Sequence, residues 1–234
     1  MIAFDIETGP LPQDQVIAMM PPFETLPHPG DFNEDNVKYG NTKDPTKRLE
    51  KLASERAAHE TRVANHEANA KAAEEKHVAD FMDRAALSPL TGECVCIGYG
   101  MPFKMIEGSE VEILKQFWSL VKTGTVVGWN SNGFDLPFLV RRSWKHKLMV
   151  PKIIDGRFFD KRFIDLMQTF ECGKYNSFVK LDVAAKFLGV GAKTGDGADF
   201  AKLYRGTADE RKQAIDYLRD DVTMVWKIAE LLGV

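Results

Sequence analysis

Apolar and polar residues alternate over the first eight positions of the chain, the pattern of a β-strand. Successive side chains of a strand point to opposite faces. One face therefore carries Ile2, Phe4 and Ile6, and the other carries Ala3, Asp5 and Glu7. A segment this apolar predicts a strand that is buried on both faces.

The rest of the chain alternates between short apolar runs and segments with helical periodicity. Further strands are predicted over residues 93–101, 103–107, 125–128 and 162–165. Helices are predicted over about 110–122, over 134–147 and from 166 to the end. Hairpin-like strands followed by strand–helix alternation indicate an α/β protein with a mixed central sheet and helices on both faces.

A long insertion separates the first two strands. Residues 9–42 contain six prolines and few periodic apolar positions, which predicts a Pro-rich loop. Residues 44–86 predict a helical projection, with Asp44 as its N-cap and Pro45 in its first turn. One straight helix of this length would reach roughly 60 Å. We therefore expect either a protruding helix or an α-hairpin that bends near residues 65–69, within one domain spanning 1–234.

Composition indicates a globular chain, because 234 residues with 44% hydrophobic and 28% charged side chains can bury one full core. No apolar run approaches membrane length and no signal segment opens the chain, so no membrane association is expected. Cys94 and Cys96 are expected as buried, reduced thiols on one face of a strand. We expect a cytoplasmic protein in a reducing compartment, and a viral gene stays open as its source.

Charge is distributed unevenly around a net value of −3. Residues 141–162 hold eight basic and two acidic side chains, a local charge of +6. Such a ridge fits a phosphate-binding rim, and the alternative is an ordinary solvated helix face. Trp144 could stack on bases, but its helical spacing from Phe138 and Leu139 favours core packing.

Acidic side chains in three apolar contexts are the candidate chemistry. Burying Asp5 and Glu7 side by side is costly unless a cation compensates them, and a hard divalent metal takes carboxylate oxygens. Asp135 follows a strand and opens a helix, whereas Tyr217 and Asp221 lie four residues apart on a helix face. The alternatives are a solvent-exposed strand end, a helix N-cap and a surface aspartate beside a half-buried tyrosine.

Together these segments resemble the 3′→5′ exonuclease superfamily that has four catalytic acids, Asp, Glu, Asp and Asp. Its motifs are met by Phe4-Asp5-x-Glu7-Thr8, by Asn130-x-x-x-Phe134-Asp135 and by Tyr217-x-x-x-Asp221. The words Gly-Trp-Asn-Ser-Asn and Phe-Asp-Leu-Pro look most like the exonuclease domain of family B DNA polymerases, and the resemblance covers about residues 1–8 and 93–234. It implies a ribonuclease H-like α/β/α sandwich interrupted by the long helical insertion.

The resemblance also implies residue roles. Asp5, Glu7, Asp135 and Asp221 would hold two Mg²⁺ ions, for which Mn²⁺ can substitute, and Tyr217 would orient the attacking water. The branch with a histidine five residues before the last aspartate is not matched, since Asp216 occupies that position. Nucleic-acid contacts are expected from the following residues: Thr8, Asn130, Phe134, Arg141, Arg142, Lys145 and Lys193.

The implied function is removal of nucleotides from single-stranded DNA 3′ ends, by a stand-alone enzyme or a separate proofreading subunit of DNA replication. A DNA polymerase or another replication protein is the expected partner. Two alternatives stay open: an exoribonuclease that trims RNA 3′ ends, and a non-catalytic module that binds nucleic acid or docks onto a polymerase.

Overall fold

The computed structural model describes the chain except residues 153, 156–157, 174–177 and 193–196, and except the side chains of 154–155, 158–159 and 198. The chain divides into two compact units. The first comprises Met1–Met19 and Arg84–Val234, and the second comprises Met20–Asp83.

A mixed five-stranded sheet forms the centre of the first unit. Its strands are β1 (Ile2–Pro10), β2 (Gly92–Tyr99), β3 (Lys104–Ile106), β4 (Val126–Gly128) and β7 (Phe163–Asp165), in the order β3-β2-β1-β4-β7. Strand β2 runs antiparallel to β1 and β3, whereas β1, β4 and β7 are parallel. The two remaining strands, β5 (Ile154–Asp155) and β6 (Phe158–Phe159), pair with each other. The predicted mixed sheet is confirmed.

Helices occupy most of the remaining chain. They are α1 (Gln13–Ala18), α2 (Pro45–Ala64), α3 (His66–Asp83), α4 (Glu110–Val121), α5 (Asp135–Lys145), α6 (Leu166–Phe170), α7 (Leu181–Leu188), α8 (Phe200–Tyr204) and α9 (Ala208–Leu232). Capping boxes open α4 at Ser109 and α9 at Thr207, which satisfies backbone N–H groups that a helix start leaves unpaired.

Two apolar layers sandwich the sheet. On one face Ala3, Cys96 and Val127 pack against α9. On the other face Phe4, Ile6 and Val126 pack against α4 and α5. The alternation along β1 therefore sends one set of side chains into each layer, as the first eight residues predict. Burying a side chain such as Leu218, which is fully enclosed, contributes on the order of 1.5–3 kcal/mol.

A β-bulge in β2 changes the expected placement of the cysteines. Glu7 pairs with Cys96 while Thr8 pairs with Cys94, so Val95 is an extra residue in the ladder. Cys96 packs in the layer of α9, and Cys94 packs in the opposite layer. The prediction that both thiols share one face is wrong, because a one-residue bulge reverses the side-chain alternation.

The Pro-rich stretch is not wholly a loop. Residues 9–10 complete β1, and Gln13–Ala18 form α1, whose Val16 is fully buried. A helix of six residues with one buried apolar side chain is too short for periodicity to reveal. The predicted loop over residues 9–42 is therefore corrected at its N-terminal end.

In the second unit, a strap of extended chain runs back along two consecutive helices. Helices α2 and α3 are separated only at Asn65. Ring contacts tie the strap to them in strictly reversed order: Phe23 to His77, His28 to His66, Phe32 to His59, and Tyr39 to Arg48. The strap therefore contacts α3 first and α2 second, and the break between the two helices at Asn65 falls within residues 65–69, where the sequence predicts a bend for the hairpin alternative.

Candidate active site

Strand β1 carries two carboxylates on the face that receives α9. Glu7 is only 8% exposed and pairs with Cys96 across the ladder, while Asp5 is half-buried and pairs with Gly98. Burial raises the pKa of the Cys96 thiol, and the negative charges of Glu7 and Asp5 raise it further. The raised pKa of this thiol therefore indicates that two carboxylates lie close to it.

Asp135 reaches this strand from the start of α5. Its Oδ1 accepts a hydrogen bond of 3.3 Å from the backbone N–H of Ile6, the residue between Asp5 and Glu7. That N–H is available because β4 pairs with β1 only at Ile2 and Ala3. The structure therefore brings three acids from two distant segments to the open edge of one strand.

Asp135 is buried, and its protonation reflects the cost of that burial. Desolvation raises the pKa of this carboxyl to about 7, with the negative charge of Asp165 adding to the effect. Hydrogen bonds from the N–H groups of Ile6 and of Asp135 itself oppose the rise. A cation nearby would favour the ionised form, as a metal site requires.

A fifth acid, Asp165, holds the turn that delivers Asp135. It ends β7 and is buried. Its Oδ1 and Oδ2 accept hydrogen bonds of 3.0 Å from the backbone N–H groups of Asn130 and Asn132, and Oδ1 also accepts from Met167. Asn130 has a φ of 55°, a backbone conformation that residues other than glycine seldom adopt. Asp165 thus stabilises an unusual turn just before Asp135.

Sequence reasoning missed Asp165. The signal was available, since an aspartate between a predicted strand and a predicted helix is a typical N-cap. It does cap α6 through Met167 and Gln168. Its bonds across to the Asn130 turn could not be read from the sequence.

Helix α9 supplies Tyr217 and Asp221. Gly98 of β2 lets the helix approach closely, because a Cβ there would lie 2.8 Å from Cγ of Leu218. Asp221 is 2% exposed, and Tyr217 is half-buried with its ring 6.4 Å from that of Phe200. A Cβ on Gly197 would lie 3.1 Å from the Tyr217 hydroxyl, so that backbone also borders the tyrosine.

The position five residues before Asp221 lies on the outer side of α9. Asp216 there is paired with Lys212 at 2.6 Å and with Arg219 at 2.5 Å. These two cations lower the pKa of its carboxyl. Asp216 thus forms ion pairs at the surface, whereas Tyr217 and Asp221 face the sheet.

The donor chemistry of the acids fits a hard divalent cation. Asp5, Glu7, Asp135 and Asp221 offer only carboxylate oxygens, the donors that Mg²⁺ and Mn²⁺ take. Within the part of the chain that the structure describes, no three His, Cys, Asp or Glu side chains are grouped so that they could hold a metal ion. The fit therefore rests on donor type and on convergence of the supporting elements.

The predicted nucleic-acid contacts divide into several groups. Arg141 and Lys145 are exposed on α5, Thr8 is partly exposed beside the bulge, and Asn130 is half-buried in its turn. Phe134 is half-buried against Phe138, with ring centroids 5.7 Å apart. Lys193 lies outside the described residues.

Arg142 is not available to a substrate, and its prediction as a contact is corrected. It is 3% exposed and donates from Nε and Nη2 to both carboxylate oxygens of Glu110, at 2.8 and 2.6 Å. Its Nη1 donates to the carbonyl of Pro89. On a helix, neighbours in sequence face different directions, so Arg142 points inward while Arg141 points outward.

Trp144 reverses the other expectation on this helix. It is 65% exposed, although its spacing predicts core packing. The buried stripe of α5 instead runs through Leu136, Leu139, Val140 and Ser143.

No helix among the described residues is long and apolar enough to cross a membrane.

Residues 100–228, more than half of the chain, match a family described as predicted 3′-5′ exonucleases related to the exonuclease domain of PolB. No curated protein matches.

Among solved structures, the family B DNA polymerase of the hyperthermophilic archaeon Pyrobaculum calidifontis is similar, with a TM-score of 0.52 and 22% identity. The match covers 64% of this chain and 23% of the polymerase, so the chain corresponds to under a quarter of that protein. At this identity the likeness shows the fold, which is the ribonuclease H-like α/β fold of a polymerase exonuclease domain.

Proposed function

Because the chain belongs to the family of predicted 3′-5′ exonucleases related to the exonuclease domain of PolB, we propose that it removes nucleotides from DNA 3′ ends. The reaction is metal-dependent hydrolysis of the terminal phosphodiester, with single-stranded DNA preferred. The observation that carries the proposal is the hydrogen bond from the Ile6 N–H to Asp135, which joins the second acidic segment to the strand of Asp5 and Glu7.

The acids have one shared role in this proposal. Asp5, Glu7, Asp135 and Asp221 hold two Mg²⁺ ions, and Mn²⁺ can replace them. When bound, such ions supply an activated water and neutralise charge on the leaving oxygen. Burial of Glu7, Asp135 and Asp221 supports this role, since a bound cation favours the ionised form of a buried carboxyl.

Tyr217 and the neighbouring polar residues act on geometry. The Tyr217 hydroxyl hydrogen-bonds the attacking water and orients it, the role expected in the tyrosine branch of the superfamily. Thr8, Asn130 and Phe134 border the terminal nucleotide. Arg141 and Lys145 contact phosphates further along the strand, and Lys193 is proposed as an additional phosphate contact.

DNA is favoured over RNA by the fold relationship with a DNA polymerase. We propose that the chain serves a polymerase as its proofreading exonuclease, in the cytoplasm. Equal rates on DNA and RNA oligonucleotides of one sequence would instead support the exoribonuclease alternative.

The test is digestion of single-stranded oligonucleotides labelled at one end, with Mg²⁺, with Mn²⁺ and with a chelator. We expect a ladder from 5′-labelled DNA, labelled mononucleotide from 3′-labelled DNA, and no product in the chelator. Asp5→Ala and Asp221→Ala should each reduce the rate by orders of magnitude while the protein stays folded.

Asp209→Ala, at an exposed position in the first turn of α9, is the matched control and should keep the wild-type rate. Near wild-type digestion by Asp5→Ala would refute the assignment of the site.

A further inference from the structure

The outer face of α5 presents an exposed tryptophan. Trp118 and Trp129 are buried and donate their indole N–H groups to Ser143 and to the carbonyl of Val179, at 2.7 and 2.8 Å. Trp144, in contrast, is 65% exposed. Among the described residues, none accepts a hydrogen bond from its indole. A single exposed aromatic ring is common at a protein surface, and it marks a candidate binding surface when charged groups flank it.

Cations surround this tryptophan. Arg141 and Lys145 lie on the same helix face, and Lys147 follows in a left-handed turn with a φ of 55°. The sequence contains no acidic residue between Asp135 and Asp155. In the described part of the chain, no carboxylate pairs with Arg141, Lys145 or Lys147. The two other basic side chains of this helix end, Arg142 and His146, face inward to Glu110.

The separation between the candidate acids and this face sets the length of strand that could reach both. Asp135 and Trp144 lie nine residues apart on one helix, or roughly 13 Å along its axis. Because an α-helix has 3.6 residues per turn, nine residues also turn Trp144 to the opposite side of α5 from Asp135, so a strand that reaches both side chains must pass around the helix. A dinucleotide is too short to span this distance, whereas a decanucleotide spans it easily.

We infer that Trp144, with Arg141, Lys145 and Lys147, forms a stacking platform for single-stranded nucleic acid upstream of its 3′ end. This inference rests on the proposed function for the identity of the strand. Exposed aromatic rings interleaved with cations bind bases and phosphates together, because every base offers a π-face and every linkage a negative charge. An acidic peptide would match the charge but would leave the ring without a stacking partner.

Steady-state kinetics on decathymidylate and on dithymidylate test the platform. Trp144→Ala should raise KM for the decamer roughly five- to a hundredfold, with kcat unchanged, because stacking of one base is lost. Kinetics on the dimer should stay at wild-type values. Trp144→Phe, which keeps a ring, should restore most of the affinity. The matched control is Phe187→Ala, which removes another exposed ring, on α7. This variant should leave KM and kcat unchanged for both substrates.

Fluorescence gives a readout that does not need catalysis. With a chelator present, the decamer should quench wild-type emission and leave Trp144→Ala emission nearly unchanged, since the other described tryptophans are buried or half-buried. Lys145→Ala should weaken decamer binding and lower its salt dependence by about one unit of slope.

Three results would overturn the platform: an unchanged decamer KM in Trp144→Ala, no quenching of the wild type, or equal quenching by polyglutamate. A wild type that cleaves neither substrate would refute the proposed function alone, because the quenching experiment still decides whether Trp144 binds the strand.

Discussion

At the residue scale, the hydroxyl of Tyr217 separates positioning from metal binding. Tyr217→Phe keeps the ring beside Phe200 and removes one hydrogen bond to the attacking water. We expect kcat to fall by roughly ten- to a thousandfold, less than in Asp221→Ala, with KM nearly unchanged. Single-turnover digestion of 5′-labelled DNA measures the effect.

Tyr204, a buried tyrosine on α8, provides the control for this change. Tyr204 donates its hydroxyl to Glu107 at 2.7 Å. Tyr204→Phe should lower stability without changing kcat. If Tyr217→Phe abolished hydrolysis as completely as Asp221→Ala, with Mg²⁺ affinity unchanged, the tyrosine would take part in proton transfer and the positioning role would be wrong.

Asp165 is the residue through which the neighbouring strand controls Asp135. Asp165→Asn replaces one carboxylate oxygen by an amide nitrogen, which faces a backbone N–H of the Asn130 turn instead of accepting from it. We expect about 1–3 kcal/mol of destabilisation and at least a tenfold loss of kcat. Urea unfolding and digestion kinetics measure the two effects.

Asp182→Asn alters an aspartate that pairs with Lys186 on the surface of α7 and should leave both quantities nearly unchanged. Full activity of a destabilised Asp165→Asn enzyme would show that Asp165 supports the fold but not the geometry of Asp135.

At the element scale, Glu110 ties three elements of the core together. Burial alone would raise the pKa of Glu110. Hydrogen bonds from Arg142, from the Cys94 N–H and from His146 outweigh burial and hold this pKa below its usual range. A carboxyl with a lowered folded-state pKa contributes stability above its unfolded pKa of about 4.5 and loses it as pH falls through the folded value.

Glu110→Gln should therefore destabilise the protein by about 3–5 kcal/mol at pH 7, because it leaves the buried Arg142 charge uncompensated. The difference from wild type should shrink as the pH is lowered below about 4.5. Urea unfolding between pH 3 and 7 checks both statements. Glu230→Gln, at an exposed position on α9, is the control. A difference that stays constant with pH would contradict the buried ion pair.

At the scale of the whole molecule, both apolar layers consist of residues of the first unit. No residue of Met20–Asp83 belongs to either apolar layer, among the residues that the structure describes. Replacing this segment by a short Gly/Ser linker should therefore leave a folded protein that still digests short oligonucleotides. Circular dichroism, thermal unfolding and digestion kinetics measure the outcome.

The charge of the second unit also bears on its role. It carries nine basic and thirteen acidic residues, a net charge of −4, which disfavours a role in binding nucleic acid. The excised variant should thus bind a decanucleotide as tightly as the whole chain. A linker of twice the length controls for strain, and an unfolded product with both linkers would show that the segment is part of the core.

The sequence by itself determined the elements and the order of the chemistry. Local rules place Asp5 and Glu7 on one face of a strand, Asp135 at a helix start, and Tyr217 one turn before Asp221, because each depends only on neighbours in the chain. The mixed sheet followed from the same periodicities. The capping of α2 by Asp44 and Pro45 was also readable, because it too is a local interaction.

Only the tertiary structure decided which residues share a site and which face outward. No local pattern in the sequence distinguishes Arg142 from Arg141 and Trp144 on the same helix. In the structure Arg142 is buried because it pairs with Glu110, a residue distant in sequence, whereas Arg141 and Trp144 are exposed. The Val95 bulge separates two cysteines that alternation would unite. Asp165 reaches the Asn130 turn only through strand pairing. Each outcome depends on contacts between distant segments, and no local pattern encodes these.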